Sequence, residues 1–533
     1  MTSRTDVLRG PGRSAVVVGG GIAGLATAAL LARDGYSVDL LEQGDHLGGR
    51  IGSWESDGFR FDTGPSWYLM PEVFDHFFEL FGRSAGDDLG LTVLDPGYRV
   101  FFEGVQDPVD IRSGLEDNLA TFERLEPGAG ARLEDYLASA SDAYDVALRR
   151  FLYSNFDSLS GQLRWDVVTR MPRLVRLLTQ SLESFVANRF TDRRLTQILG
   201  YPAVFLGTSP DRAPSMYHLM SRLDLADGVR YPQGGFVRLV EAVSDIARAA
   251  GARLHTGARV AAITTRPAAA RRGRAGVTGV GYVDADGAEQ HLPADVVVGA
   301  VDLHHLETEL LPADLRTYPQ DYWDRRDPGP GAVLVCLGVR GDLPQLAHHS
   351  LFFTEDWRAN FEAIFGTARR VPDPASVYVC KPSATDPTVA PPGHENLFVL
   401  VPVPADVSLG RGGVAGTGDP DVEAVADAAI DQVADWAGIP DLRARVTVRR
   451  TFGPGDFAAD LNAWCGGALG PAHTFRQSAF LRTGNVSQKV DGLHFAGSST
   501  VPGIGLPMCL ISAELVAKRL RGDRSAVPLE VPA

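Results

Sequence analysis

The sequence has few of the features that mark secreted or membrane-spanning proteins. It contains four cysteines among 533 residues, and none of Cys336, Cys380, Cys465 and Cys509 belongs to a C-x-x-C pair. This spacing predicts neither a disulfide framework nor a zinc site and is typical of a reducing cytoplasm. No run of about 18 apolar residues occurs, so a transmembrane helix is not expected. We therefore expect a cytoplasmic protein.

The chain also lacks an excess of positive charge and a recognisable cluster of metal ligands. Its 51 basic and 66 acidic residues give a net charge of −15, which excludes nucleic acid as a general partner because the phosphate backbone would be repelled. His304 and His305 are adjacent and would point to opposite faces of a predicted strand. We therefore predict no metal site. No nucleophile–base pair is apparent either, so the sequence assigns no catalytic residue.

The clearest local pattern is a β-α-β unit near the N-terminus. Residues 15–18 are apolar and β-branched, as in a buried parallel strand. A helix is predicted over residues 22–33, and Gly35 stands where such a helix ends. Residues 37–41 form the second predicted strand. This order of elements within about thirty residues is that of a dinucleotide-binding unit.

The turn of this unit carries the glycine pattern expected for a dinucleotide. Gly19 permits a tight turn, Gly21 lets the backbone approach a pyrophosphate, and Gly24 lets the helix pack closely on the strand. Ala23 lies at the start of the helix, whose free N–H groups attract phosphate. Glu42 ends the second strand and can accept hydrogen bonds from a ribose. The alternative is a glycine-rich turn that binds nothing, but the complete unit favours a dinucleotide.

A short extension after Glu42 narrows the cofactor to FAD. The residues Leu47-Gly48-Gly49-Arg50 resemble the FAD-binding extension of the flavin amine oxidase and carotenoid desaturase superfamily. In that superfamily the two glycines and the arginine lie along the phosphate and ribityl part of FAD. The chemistry agrees, because Arg50 can bridge phosphate oxygens and the glycines let backbone N–H groups come close. No second nucleotide motif is present, so NAD(P) is not expected.

The same resemblance extends to two internal segments. Gly64, Pro65 and Ser66 follow a predicted hairpin and are similar to a segment that passes close to the flavin ring in carotenoid desaturases. An ordinary loop is the alternative for these three residues. Val260 lies on a predicted strand that in this superfamily returns to the cofactor domain and contacts the adenine side through its backbone.

The C-terminal segment carries the last part of the resemblance. Gly497 and Ser498 follow a predicted strand, and a glycine-rich loop then ends at Gly505. A predicted helix begins at Leu506 with Pro507 in its first turn. This segment closely resembles the terminus of bacterial phytoene desaturase-type carotenoid oxidoreductases, in which the helix N-terminus faces the flavin ring where negative charge develops on reduction. Val501 stands where that family commonly has a histidine.

The predicted fold class is α/β, with a Rossmann-type FAD-binding domain built from discontinuous segments. A mixed-sheet substrate domain and a helical subdomain complete the chain. The expected ranges are 1–95, 228–310 and 480–533 for the FAD-binding domain, 111–227 for the helical subdomain, and 311–479 with 96–110 for the substrate domain.

One stretch of the helical subdomain differs in charge from the rest of the chain. Residues 161–194 hold seven arginines against three acids, with leucines at helical spacing. A basic amphipathic helix of this kind can rest on an anionic membrane surface. A solvated helix face packed on its neighbours is the alternative, and the pattern favours it. For location, the second hypothesis besides the cytoplasm is peripheral contact with the inner face of the membrane.

The resemblance implies oxidative desaturation of a long apolar carotenoid such as phytoene, with hydride transfer to the flavin and oxygen or a quinone as the final acceptor. Three alternatives stay open: another FAD-dependent carotenoid oxidoreductase or isomerase, a flavin oxidase that acts on an amine, and a non-enzymatic carrier on the same fold, like the Rab escort and GDI proteins. The intact glycine motif argues against the carrier. The oligomeric state is not assigned.

Overall fold

The computed structural model describes residues 12–155, 173, 175–268 and 273–532. In chain order, its strands are β1 (Ser14–Val18), β2 (Ser37–Leu41), β3 (Ser53–Ser56), β4 (Phe59–Asp62), β5 (Leu91–Val93), β6 (Tyr98–Phe102), β7 (Val109–Ile111), β8 (Arg230–Pro232), β9 (Arg253–His255), β10 (Arg259–Arg266), β11 (Ala275–Val283), β12 (Glu289–Pro293), β13 (Val296–Gly299), β14 (Pro330–Arg340), β15 (His349–Phe353), β16 (Val377–Cys380), β17 (His394–Pro404), β18 (Val446–Phe452), β19 (Val490–Asp491) and β20 (Leu493–Phe495).

The α-helices of the described residues are α1 (Ile22–Arg33), α2 (Pro71–Glu79), α3 (Ala85–Leu89), α4 (Leu115–Leu125), α5 (Ala129–Ala147), α6 (Leu182–Ala187), α7 (Arg193–Gly200), α8 (Pro202–Phe205), α9 (Met220–Leu225), α10 (Val237–Ala249), α11 (Leu303–Glu309), α12 (Gln320–Trp323), α13 (Trp357–Phe365), α14 (Pro420–Trp436), α15 (Leu442–Arg445), α16 (Pro454–Leu461) and α17 (Leu506–Arg521).

A five-stranded parallel sheet forms one half of the molecule. Its strand order is β20-β13-β1-β2-β9, and every neighbouring pair is parallel. The valine-rich strands β1 and β13 are buried almost throughout, as strands covered on both faces must be. Helix α1 packs between α10 and α17. Since these strands come from widely separated parts of the chain, the predicted Rossmann-type domain of discontinuous segments is confirmed.

A seven-stranded mixed sheet forms the other half. Its order is β18-β14-β17-β16-β15-β6-β7, with β6 and β15 parallel and the other pairs antiparallel. Strands β14 and β17 pair over eleven residues without a register shift. Helix α14 packs on one face of this sheet through an apolar cluster. The predicted mixed-sheet architecture is confirmed, whereas the domain boundaries stay predictions.

Helices α4 to α9 form the helical part of the chain, which lies between strands β7 and β8 in sequence. The predicted basic helix of residues 161–194 lies partly outside the described residues, which omit 156–172 and 174. In the described part, Arg173 pairs with Asp142 at 2.6 Å and Arg194 pairs with Asp192 at 2.7 Å. Part of the positive charge is thus offset within the protein. Across the described residues, the helices are all too short or too polar to cross a membrane.

The segment that carries His304 and His305 is a helix, so the predicted strand is wrong. The side chain of Asp302 accepts a hydrogen bond from the backbone N–H of His304 at 3.0 Å and caps the N-terminus of α11. The His304 ring stacks on Trp464, with centroids 5.7 Å apart. The argument that the two histidines point to opposite faces of a strand therefore does not apply.

We predict that Gly24→Ala destabilises the protein because the turn between β1 and α1 has no room for a methyl group. A Cβ at Gly24 would lie 2.0 Å from the carbonyl oxygen of Gly19, which is backbone and cannot swing away. Overpacking of this kind costs about 1–3 kcal/mol of unfolding free energy, which urea titration of the flavin-free protein measures. Gly281→Ala is the control because a Cβ there meets nothing within 4 Å. Equal stability of both variants would contradict the packing role.

Candidate active site

One cavity of about 670 Å³ is lined by residues from both large sheets and from the helical part. With the exception of Gly24, the predicted cofactor-binding positions line it: Gly19, Gly21, Ala23, Glu42, Gly49, Arg50, Gly64, Pro65, Ser66, Val260, Gly497, Ser498, Gly505, Leu506 and Pro507. The two ends of the chain meet at this cavity, since a Cβ on Gly497 would lie 3.6 Å from the Cβ of Ala23.

Gly19, Gly21 and Gly24 lie in and just after the turn between β1 and α1, and the space around each glycine differs. Gly19 has a φ of +103°, and a Cβ there would lie 2.9 Å from the carbonyl oxygen of Ala300. Gly24 is required by the packing of α1 on the turn and does not reach the cavity. A Cβ on Gly21, by contrast, would meet no protein atom closer than 3.9 Å, although Gly21 lines the cavity. The protein itself leaves space at Gly21, which suits the close approach of a pyrophosphate.

Glu42 lies at the carboxyl end of β2, where the backbone holds its side chain. Its Oε2 accepts a hydrogen bond from Gly20 N at 2.6 Å, and its Oε1 accepts one from Gly44 N at 2.8 Å. A carboxylate has about four lone-pair positions. Two are therefore left for hydroxyl groups of a ribose on the cavity side.

The Gly48-Gly49-Arg50 extension packs directly on the glycine turn. Gly48 N donates to Gly20 O at 2.9 Å, and a Cβ on Gly49 would lie 3.1 Å from the Cα of Gly21. The Arg50 side chain donates from Nε to Ala468 O at 3.1 Å. Among the described residues its buried Nη2 has no hydrogen-bond partner, and Asp302 is 3.9 Å away. A guanidinium nitrogen that still lacks a hydrogen bond beside the glycine turn fits a phosphate oxygen.

Two long helices present their N-termini to the same cavity. Gly21 precedes α1 and Gly505 precedes α17, and neither helix has a side-chain hydrogen bond that caps its first turn. The free N–H groups and the helix dipoles make both ends positive. This donor set, together with Arg50 and Glu42, fits the phosphates and ribose of FAD.

The segment Gly64–Ser66 lies against Arg50. A Cβ on Gly64 would be 1.8 Å from the carbonyl oxygen of Arg50, so only glycine permits this contact. Trp67 follows and forms an aromatic wall of the cavity. Its ring stacks on His349 with a centroid distance of 4.6 Å and an interplanar angle of 12°.

The cavity continues beyond Trp67 into an apolar part. Aliphatic and aromatic side chains of both the helices and the mixed sheet line it: Phe151, Leu152, Tyr201, Val204, Phe205, Met216, Leu219, Met220, Leu334, Leu351, Phe353, Trp357, Phe361, Phe398 and Leu400. Such a lining binds a ligand through removal of apolar area from water.

Sequence reasoning missed a histidine that holds the C-terminal loop. His473 Nδ1 lies 2.7 Å from the hydroxyl oxygen of Tyr217, and its Nε2 accepts a hydrogen bond from Ile504 N at 3.2 Å. A Cβ on Gly503 would lie 2.2 Å from this ring. Burial, with the Arg482 charge as a second cause, holds the pKa of His473 well below its usual value. The ring is neutral with both nitrogens engaged, so it positions the loop rather than accepting a proton.

His348, His349 and Cys380 form a buried group behind Trp67. One potential ligand atom from each lies within 4.8 Å of the others. His349 Nδ1 is 2.8 Å from the Tyr378 hydroxyl oxygen. Burial lowers the pKa of His348 to about 3, holds the pKa of His349 well below its usual value, and raises the pKa of the Cys380 thiol. All three side chains are therefore uncharged at neutral pH, and they support the aromatic wall.

Comparison with known proteins agrees with this site. The family described as flavin containing amine oxidoreductase matches residues 22–521. The chain belongs to this family. Its cofactor is FAD, and the residues that line the cavity fit that group.

Two relatives match over nearly the whole chain. A carotenoid 3,4-desaturase from Haloarcula japonica is 41% identical over 96% of this chain and 99% of its own length. A zeta-carotene-forming phytoene desaturase from Myxococcus xanthus is 34% identical over 96% of this chain and 94% of its own. Among solved structures, an oxidoreductase from Methanosarcina mazei has a TM-score of 0.58 at 16% identity and covers 95% of this chain and 100% of its own.

We predict that Arg50→Met lowers the affinity for FAD by about tenfold to hundredfold, since a hydrogen bond to a charged group contributes about 1.5–3 kcal/mol. Fluorescence titration of the flavin-free protein measures this affinity. Arg445→Met is the matched control, because Arg445 donates to Arg340 O at 2.7 Å and Asp342 O at 2.8 Å at the end of β14 and does not line the cavity. Unchanged FAD affinity in Arg50→Met would exclude a phosphate contact.

Proposed function

We propose that the protein is an FAD-dependent oxidoreductase that desaturates a carotenoid such as phytoene. The observation that carries this proposal is the cavity itself, in which the FAD-binding positions and a long apolar part share one space. The names of the two relatives, a carotenoid 3,4-desaturase and a phytoene desaturase, support the same substrate class.

The side chains of the apolar part bind and orient the substrate. A hydrocarbon polyene has no charge and no polar handle, so its affinity comes from buried apolar area at about 25 cal/mol per Å². Trp67 packs beside Tyr201 and Phe205, with ring centroids 6.3 and 5.2 Å away, and all three rings line the cavity. These rings exclude water and align the chain, and alignment is the main contribution that the protein can make to catalysis.

FAD, when bound, supplies the acceptor for a hydride removed from a C–H bond of the substrate. The chain's own contribution is the positive potential of the α17 N-terminus and the dry apolar walls. The neighbouring carbon of the substrate must also lose a proton. His473 is engaged at both ring nitrogens, so we assign no residue to accept that proton. Oxygen or a quinone is the proposed final electron acceptor.

The alternative substrate class, a small amine, is less well supported. The described cavity-lining residues include no lysine, and the likeness to putrescine oxidase at 15% identity concerns the fold alone. A carrier without catalysis would not need an intact FAD site. Isomerisation or another carotenoid oxidation would use the same cavity and stays an alternative to desaturation.

We predict that the FAD-loaded enzyme loses its flavin absorbance when phytoene in detergent is added without oxygen, because the two electrons of the hydride removed from the substrate stay on the flavin when no acceptor is present. Spectrophotometry measures the bleaching, and chromatography of the pigment measures the product. Putrescine in place of phytoene is the control. Bleaching by putrescine alone would favour the amine reaction, and new isomers without bleaching would favour isomerisation.

We also propose that the enzyme takes its substrate from a membrane surface, at an apolar patch formed by Phe475, Phe480 and Leu481. These side chains are 37%, 58% and 47% exposed, and Ala479 between them lines the cavity. Arg476 beside them is exposed as well, which suits an anionic lipid surface. A patch of this composition at the cavity lets an apolar substrate enter without crossing water.

We predict that Phe480→Ser weakens co-sedimentation with phosphatidylglycerol vesicles by about tenfold, because one buried aromatic ring contributes about 1.5–3 kcal/mol. Val407→Ser is the control, since Val407 is 48% exposed, begins a short 3-10 turn and does not line the cavity. Equal vesicle binding of the two variants would mean that this patch does not contact the membrane.

A further inference from the structure

Arg482 is a buried cation whose hydrogen-bond partners are backbone carbonyls and not carboxylates. Its side chain donates from Nε to Thr500 O at 3.1 Å, and from Nη1 to Pro471 O at 3.0 Å and Gln477 O at 3.3 Å. Its Nη2 donates to Ser498 O. The residue is only 7% exposed. Each of these contacts uses a neutral carbonyl, so none of them neutralises the charge.

No carboxylate among the described residues forms an ion pair with Arg482. The titratable groups that act on it are Tyr217, Tyr322 and Cys509, all of which are neutral at neutral pH. Burial lowers the pKa of Arg482 to about 10, which still leaves the guanidinium charged. A buried charge without an opposite charge nearby is destabilising even when it is hydrogen-bonded. The site therefore gains stability when an anion comes close.

The position of Arg482 indicates which anion this is. Two of its partners, the carbonyls of Ser498 and Thr500, belong to the loop between Gly497 and Gly505. Ser498 and Gly505 line the cavity, and the uncapped N-terminus of α17 follows directly. The guanidinium thus lies behind the same part of the cavity wall at which the resemblance places the flavin ring. Its charge adds to that of the helix end.

We propose that Arg482 sets the reduction potential of the bound flavin by stabilising the negative charge that reduction adds. The inference rests on the proposed function, which places FAD in this cavity. A hydride carries two electrons and one proton, so its transfer to a neutral flavin adds one negative charge. Arg482 contacts the loop and does not line the cavity, so its charge acts from behind the wall and it is not a catalytic residue.

The test is the midpoint potential of bound FAD in Arg482→Met and Arg482→Lys. In the methionine variant, the midpoint potential of bound FAD is expected to fall by at least about 30 mV. For a two-electron couple, this corresponds to a tenfold weaker preference for reduced over oxidised FAD. Arg482→Lys keeps the charge and is expected to stay near the wild-type potential. Dye-coupled anaerobic titration measures all three proteins.

Lys518→Met is the matched control. Lys518 is also a buried cation held by carbonyls, those of Tyr153 and Ser525 at 2.9 Å and Val527 at 2.5 Å. It lies twelve residues further along α17 than Leu506, or about 18 Å at 1.5 Å per residue. Its loss is expected to lower stability without changing the potential.

The outcomes separate this inference from the proposed function. An unchanged potential in Arg482→Met, with FAD retained, overturns the inference, and an equal fall in Lys518→Met does the same. If the methionine variant loses FAD, Arg482→Gln takes its place with the same expected fall. If Arg482→Met and Arg482→Gln both fail to fold while Arg482→Lys has the wild-type potential, the role of Arg482 is structural. That outcome also overturns the inference. Wild-type protein that binds no FAD would refute the proposed function instead.

Discussion

Two uncapped helix N-termini meet at one cavity, and their positive potential is the interaction on which the arrangement of the site depends. Helices α1 and α17 begin at Gly21 and Gly505 without side-chain caps. Their free N–H groups are costly to bury unless an acceptor satisfies them. The phosphates and the flavin ring of FAD are such acceptors. The five-stranded sheet brings these two helix ends together from opposite ends of the chain, and the FAD proposed to bind here would satisfy both.

Polar and apolar residues line different parts of the cavity. Glu42, Arg50 and the glycine turn present polar groups where FAD is proposed to lie, whereas the part beyond Trp67 is apolar. This division agrees with a reaction in which the cofactor carries the chemistry and the substrate is a hydrocarbon. Charged groups are consequently kept near the cofactor, and the buried histidines around the cavity, His348 and His473, stay neutral because burial lowers their pKa values.

Local patterns predicted the elements of the cofactor half well. The predicted helix over residues 22–33 and the strand over 37–41 have the observed bounds, because apolar period and glycine placement are local properties. The strand expected at His304 was wrong for an equally local reason. The side chain of Asp302 caps the N-terminus of a helix there. The pairing of Tyr217 with His473 had no sequence signal, because 256 positions separate the two residues.

The sequence by itself determined the cofactor class, the Rossmann-type unit and the family, since glycine spacing and the Arg50 extension are chemical requirements of binding FAD that short segments meet alone. Only the tertiary structure decided which distant residues surround the cofactor: the loop held by His473, the uncompensated charge of Arg482, and the exposed phenylalanines beside the cavity. The physical reason is that burial and unpaired charge are properties of a residue's surroundings. Those surroundings exist only once the two sheets and the terminal helix have packed together.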